Sequence, residues 1–265
     1  MNIGLVCPAS LPATQFGGIL FLAVDIAKES VRLGNNATIY TTNLDFANNP
    51  NTFNKDLPDV EKIDEFTIKR THVWFNFHLF FFNPGMYYQL MKDSPDVIHS
   101  IGVRSFQSII AAIVAKKKKI PLIISDQGGL TTHPDLNEGG FLKRMFYKIQ
   151  RPIIQYIINN ATKISVANEY EKEIFKEFTS ESKIEIVRNG INQDSMITKT
   201  IDFKSKYKIK SPYILFVGRF NRVKGIDVLL KAIKNLKQND QLKNKIFVIM
   251  GVDFGFQKEM FELIE

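Results

Sequence analysis

Short apolar runs alternate with longer amphipathic stretches along most of the chain. "NIGLVC" (2–7) reads as a buried strand, and "GGILFLAVDIAKESVRLG" (17–34) places Ile19, Leu22, Ala23, Ile26 and Leu33 at helical spacing before Gly34 closes it. "ATIYTT", "DVIHS", "PLIIS", "KISVA" and "IEIV" supply further strands. Between most of them lie the helical patterns "FQSIIAAIVAKKKK", "FLKRMFYKIQRPIIQYIINN" and "EYEKEIFKEF". Alternation of this kind predicts an α/β fold with a parallel, doubly wound sheet. From Gly190 to Pro212 the pattern lapses into polar residues, then restarts with "YILFVG", the helix "GIDVLLKAIKNLKQ" and the strand "KIFVIMG". The predicted organisation is therefore a first domain over 1–190, a linker over 191–210 and a second α/β unit over 211–265.

Composition narrows the partners. The 265 residues carry 45% hydrophobic and 12% aromatic side chains, enough to build two modest cores. Lys and Arg outnumber Asp and Glu by 35 to 27, which favours anionic partners such as nucleotides, phosphorylated lipids or membrane surfaces. The basic residues are dispersed and no nucleic-acid reader motif occurs, so nucleic acid is not an expected partner. Cys7, the one cysteine, lies in an apolar run and reads as a small buried hydrophobe; a disulfide or cysteine-based zinc site is excluded within the chain. "MNIGLVCPAS" lacks a basic n-region and the apolar runs fall short of about 20 residues, so a soluble cytoplasmic protein is expected, with peripheral contact at the inner membrane face left open. "KKKK" at 116–119 reads as a solvated helix end.

In such sheets ligands gather outside the carboxyl ends of the strands. Three post-strand loops stand out. "PASLPATQFGG" ends in Gly17-Gly18 at a helix start, where missing side chains let phosphate oxygens approach backbone N–H groups. "SDQGGLTTH" follows "PLIIS", and "GRFNRVKG" places Gly218, Arg219, Lys224 and Gly225 after "YILFV". Each is a weak signal alone, because glycine pairs and loop cations are common. Asn189-Gly190 reads as a tight turn at the crossover between domains.

"FGGILFLAVDIAKESVRLGNNATIYTT", "PDVIHSIG", "SDQGG", "VRNGIN" and above all "YILFVGRFNRVKGIDVLLKAI" resemble, in that order, the family 4 glycosyltransferases. The resemblance implies a GT-B arrangement: an amino-terminal Rossmann-like domain on the acceptor side and a carboxy-terminal Rossmann-like domain that takes the donor. It implies transfer of a sugar from a nucleotide-sugar donor to a glycan, lipid-linked or small-molecule acceptor, with retention of configuration and without cofactor or metal. No Asp-x-Asp occurs in the sequence. A metal-free site needs fixed cations where negative charge grows on the leaving diphosphate, and by resemblance these are Arg219 and Lys224. Gly17, Gly18, Gly218, Asn189 and Gly190 fall to the donor side by the same likeness, and His99 and His133 are acceptor-side candidates. Where many members carry histidine, this chain has Gln127, which hydrogen-bonds sugar hydroxyls but cannot titrate. The family's acidic EX7E segment is expected after "GVDFGFQKEMFELIE", so the second domain is read as partial and the chain alone as inactive. A noncatalytic truncated homologue, binding a sugar phosphate or nucleotide or working with a partner chain, is the alternative. The aromatic "VWFNFHLFFFNPGMYY" and basic "FLKRMFYKIQR" read as a core strand and core helix, or as a surface for a lipid-linked or membrane-proximal acceptor.

Overall fold

The computed structural model describes residues 1–45, 52–77, 79–130, 141–191, 202–238 and 244–264. Two compact units divide at Gly190, Met1–Gly190 and Ile191–Glu265. The first is built on a sheet of eight strands: β1 (Asn2–Val6), β2 (Asn36–Thr42), β3 (Val60–Ile63), β4 (Phe66–Thr71), β7 (Val97–Ile101), β8 (Leu122–Ser125), β9 (Lys163–Val166) and β10 (Ile184–Ile186). β5 (Phe75–Phe77) and β6 (Phe80–Phe82) form a separate antiparallel hairpin. The sheet order is β10-β9-β8-β7-β1-β2-β4-β3, and every pairing is parallel except β3 with β4. Central β1 is clothed on both faces, with Leu5 and Val6 fully buried, as expected of a strand with unbroken apolar sequence.

Among the described residues, four further helices join α1 (Gly18–Arg32) in this unit: α2 (Gly85–Asp93), α3 (Phe106–Lys118), α4 (Phe141–Asn160) and α5 (Glu169–Phe175). One core cluster fills the face that carries Val6, Ile98, Ile124 and Ile164, where α2, α3, α4 and α5 contribute Leu90, Ala111, Ile157 and Phe175. α1 buries Leu20, Ala23, Val24, Ala27 and Ser30. That face is turned by about one residue from the spacing read in sequence, and Leu33 stays exposed. The first turns of α1 are apolar all round, so periodicity alone did not set the phase. Gly34, at φ +79°, ends the helix: its N–H donates to Val31 O, and the Asn35 N–H to Ser30 O.

β3, β4 and α2 were not read from the sequence. β3 and β4 turn through Asp64 and Glu65, both at positive φ, so Asp-Glu makes the hairpin that Asn-Gly more often makes. The aromatic stretch divides between core and surface. Phe81 is fully buried, whereas Trp74, Phe75 and Phe77 are more than half exposed.

In the second unit β11 (Tyr213–Val217) pairs in parallel with β12 (Ile246–Met250), and α7 (Ile226–Gln238) makes the crossover. Phe220, Ile226, Leu230 and Met260 form its core, the last from α8 (Gln257–Ile264). A short helix, α6 (Phe203–Tyr207), lies in the stretch read as a linker; Asp202 caps it by accepting the Lys204 N–H at 3.1 Å. No helix among the described residues is long and apolar enough to cross a membrane.

Candidate functional site

The loops after β1, β7, β8 and β9 lie at the carboxyl end of one sheet, where the parallel topology puts them. The β1 loop is held from β4. Arg70, only 2% exposed, donates from Nη2 to Leu11 O at 2.8 Å and to Glu61 Oε2 at 2.6 Å, and from Nη1 to Pro58 O at 2.9 Å. The loop then makes a 3-10 turn over Thr14–Phe16 and enters α1 through Gly17, at φ +104° and ψ −156°, a conformation open in practice to glycine alone. Gly18 follows at the helix start with open space where a Cβ would stand. Gly17 is thus required by its backbone angles; Gly18 is not required by packing.

The β8 loop is organised by Asp126, which sequence reasoning passed over. Its carboxylate is 1% exposed and accepts the N–H of Leu130 at 2.6 Å and of Val103 at 3.4 Å, joining the β7 and β8 loops. A Cβ at Gly129 would stand 2.7 Å from Asp126 Oδ1, so glycine there lets the loop fold over the carboxylate. Gln127 takes φ +55°, sparsely populated for a residue with a side chain. Its amide and that of Asn189 pair reciprocally: Gln127 Nε2 donates to Asn189 Oδ1 at 3.2 Å, and Asn189 Nδ2 to Gln127 Oε1 at 2.7 Å. Two residues 62 apart in sequence, each singled out separately, are therefore partners. No turn forms at Asn189-Gly190; the backbone there is irregular and exposed. His133 lies outside the described residues.

His99 sits within β7, its Nε2 2.6 Å from Ser125 Oγ. Burial pushes its pKa down to about 4, so the ring is neutral at physiological pH. Burial pushes Asp126 up to about 6, against the N–H bonds from Leu130 and Val103 and the Arg104 charge that pull it down. The two act oppositely on stability. Asp126 holds its proton more tightly folded than its ordinary value of 3.8 allows, so its contribution is full below about pH 4 and lost as pH rises through about 6. His99 falls from 6.5, so its contribution is full above that value and lost as pH falls through about 4. Relative to the parent, Asp126→Asn should lose stability on acidification from pH 6 to pH 4, and His99→Gln should gain it, read as denaturation midpoints across that window. Parallel pH profiles for both variants and the parent would show that neither group titrates there. Burial likewise lifts the Cys7 thiol to about 12, which rules it out as a nucleophile near neutral pH.

In the second unit, Arg219 follows β11, half-buried, with Cζ 4.4 Å from the Phe254 ring centre. Burial lowers its pKa, a shift that leaves a guanidinium charged. Asn221 caps the next turn by accepting the Val223 N–H at 2.9 Å, and Gly225, at φ +70°, closes it before α7 begins. Lys224 is exposed on this turn. The strand ends are tied: the Gly218 N–H donates to Met250 O at 2.9 Å, and a Cβ at Gly251 would stand 1.8 Å from Gly218 O. Gly251, also passed over in sequence, is thus fixed by backbone contact. Asp253 Oδ1 accepts from Gly255, Phe256 and Gln257 N–H at 2.9–3.0 Å and so orders the loop that carries Phe254. Among the described residues no group of three His, Cys, Asp or Glu could hold a metal ion.

The fold is that of GT-B glycosyltransferase structures. Anabaena HepE in complex with UDP-glucose superposes with a TM-score of 0.69 at 16% identity, over 100% of this chain and 65% of that one. The catalytic domain of starch synthase IV from Arabidopsis thaliana, bound to ADP and acarbose, gives 0.62 at 14%, over 100% and 71%. An α,α-trehalose-phosphate synthase from Burkholderia vietnamiensis gives 0.57 at 10%, over 100% and 68%. The chain spans about two thirds of the length of each, and 65% of the HepE chain. No curated protein matches it. Residues 198–265 match the family described as glycosyl transferases group 1. Residues 16–195, well over half of the chain, match Glycosyltransferase Family 4, and the chain belongs to that family.

Proposed function

We propose that this chain takes part in transferring a sugar from a nucleotide-sugar donor to a glycan, small-molecule or lipid-linked acceptor, with retention of configuration and without a metal. The observation that carries the reading is Arg219, held half-buried on Phe254 just beyond a parallel strand and ahead of the α7 start. A cation so placed meets a diphosphate in two oxygens through its planar fork, and the nearby Lys224 adds a movable point charge. Family membership and the likeness to HepE, solved with UDP-glucose, support a nucleotide sugar as donor. As the bond from the anomeric carbon to the phosphate oxygen breaks, its electron pair stays on the diphosphate. Fixed cations lower the energy of that charge more than that of the intact donor. Gln127, with no titratable proton, is assigned to sugar hydroxyls, its amide exchanging the Asn189 partner for substrate.

Isothermal titration with UDP, UDP-glucose and uridine tests the reading. Binding of both diphosphates and much weaker binding of uridine is expected, because the two cations address phosphate rather than base. Equal affinity for all three would overturn the assignment. Binding of the diphosphates with no transfer to any acceptor, by a form that also carries the acidic segment expected after residue 265, would favour a noncatalytic module that works with a partner chain.

A further inference from the structure

We propose that Asp126 is a positioning residue for sugar recognition: its buried carboxylate clamps the turn that aims the Gln127 amide at Asn189. The role rests on the assignment of Gln127 to sugar hydroxyls and accounts for what holds that amide in place. The β8 loop opens with a four-residue turn, 126–129, closed by the Gly129 N–H donating to Asp126 O at 3.4 Å. Both central residues lie at positive φ, +55° for Gln127 and +87° for Gly128. Turns of this kind favour Asn-Gly or Gly-Gly, because a Cβ is crowded in the left-handed region. Gln-Gly is a poor choice on local grounds, so the glutamine is held there from outside the turn.

The Asp126 carboxylate supplies the hold. Its Oδ2 accepts the N–H of Leu130, the residue just beyond the turn, at 2.6 Å, and its Oδ1 accepts the N–H of Val103 at 3.4 Å. Leu130 and Val103 are both buried in the core cluster of this unit, so the carboxylate fastens the turn to fixed points. Loss of the acceptor would leave two backbone N–H groups stranded. Gly129 completes the clamp. The three heavy atoms nearest to a Cβ built there are Asp126 Oδ1, Cγ and Oδ2, at 2.7, 3.5 and 3.6 Å, so a side chain at 129 and the carboxylate compete for one space.

With the turn fixed, the half-buried Gln127 meets the exposed Asn189 through two hydrogen bonds between their amides. Released from the clamp, Gln127 would return to negative φ and its amide would swing away from Asn189. Asp126 itself touches no substrate in this account, being 1% exposed. It acts through Gln127.

Nuclear magnetic resonance of the chain, isotopically labelled in its asparagine and glutamine amides, tests the clamp without substrate. Cross-relaxation between the Gln127 Nε2 and Asn189 Nδ2 protons is expected in the parent. It should be lost in Asp126→Ala, and in Gly129→Ala, which keeps the carboxylate but displaces it, with far-UV circular dichroism showing both folded. The Gln155 amide, bonded to Asn159 Oδ1 and Phe178 O, should stay as in the parent. Arg70→Ala, destabilised elsewhere in the unit, should keep the pair, which separates positioning from a general loss of stability. Asp126→Ala/Gly129→Ala should match Asp126→Ala alone, because the atoms that the new Cβ would strike are gone. Isothermal titration reads the consequence: in Asp126→Ala the ratio of UDP-glucose to UDP affinity should fall about threefold to tenfold, the effect of one lost hydrogen bond, with UDP bound as by the parent. No cross-relaxation in the parent, a pair that persists in both folded variants, or Gly129→Ala acting equally with and without Asp126 would each overturn the proposal. Loss of the pair in both variants of a parent that binds UDP-glucose no better than uridine would support the clamp and remove the sugar-transfer reading instead.

Discussion

In a form that carries the acidic segment expected after residue 265, Arg219→Ala is expected to lower sugar transfer by about two to three orders of magnitude, since removing one group that stabilises developing charge costs about 3 kcal/mol of barrier. The Phe254 contact makes a single substitution ambiguous, because the variant also uncovers that ring. Lys224→Ala resolves this: Lys224 is exposed on the turn, so its loss removes charge with little packing. Arg219→Lys should recover only part of the rate, keeping the charge but not the fork. Initial rates with a radiolabelled donor and acceptor, alongside circular dichroism of each variant, decide the matter. Near-parental rates for both alanine variants would remove these cations from the chemistry.

Arg70→Ala should be the most damaging single change in the first unit. The guanidinium is 2% exposed, and its loss strands Leu11 O, Pro58 O and the Glu61 carboxylate together. Removing one partner of a buried charged network costs about 3–5 kcal/mol; here Glu61 retains some contact with water, which favours the lower end. Urea denaturation measures the loss. Amide exchange should locate it, with protection falling first over residues 7–17, because Arg70 ties the β1 loop to the sheet. A loss no larger than that of a surface pair, under about 1 kcal/mol, would refute this account.

Much of the framework was legible because buried parallel strands are continuous apolar runs: β1, β2, β7, β8, β9, β11 and β12 each stand where such a run stands in the sequence. β3 was hidden for the opposite reason. It is an edge strand with Val60 and Lys62 exposed, and its turn uses Asp64-Glu65. β5 and β6 were hidden by excess signal, since a run of aromatics reads as core whether a ring points in, like Phe81, or out, like Phe77. In the candidate site, the glycines that need unusual backbone angles announce themselves, as Gly17 and Gly225 did. What sequence does not carry is who meets whom. The Gln127–Asn189 pair, the Phe254 ring under Arg219 and the Asp126 bridge between two loops depend on separations of 62, 35 and 23 residues, and only the folded chain brings them together.

The placement of β1 at the centre of its sheet, between β2 and β7, has a kinetic consequence. As the chain leaves the ribosome, β1 has one neighbour within some forty residues but waits for Val97–Ile101 before its other edge is covered. Until then a largely apolar strand is paired on one side only. Closing a loop of that length before contacts reward it makes folding slow, and the waiting intermediate is open to pairing with another nascent chain. Misfolding during synthesis should therefore respond more to the rate of translation between residues 40 and 100 than to the stability of the finished unit.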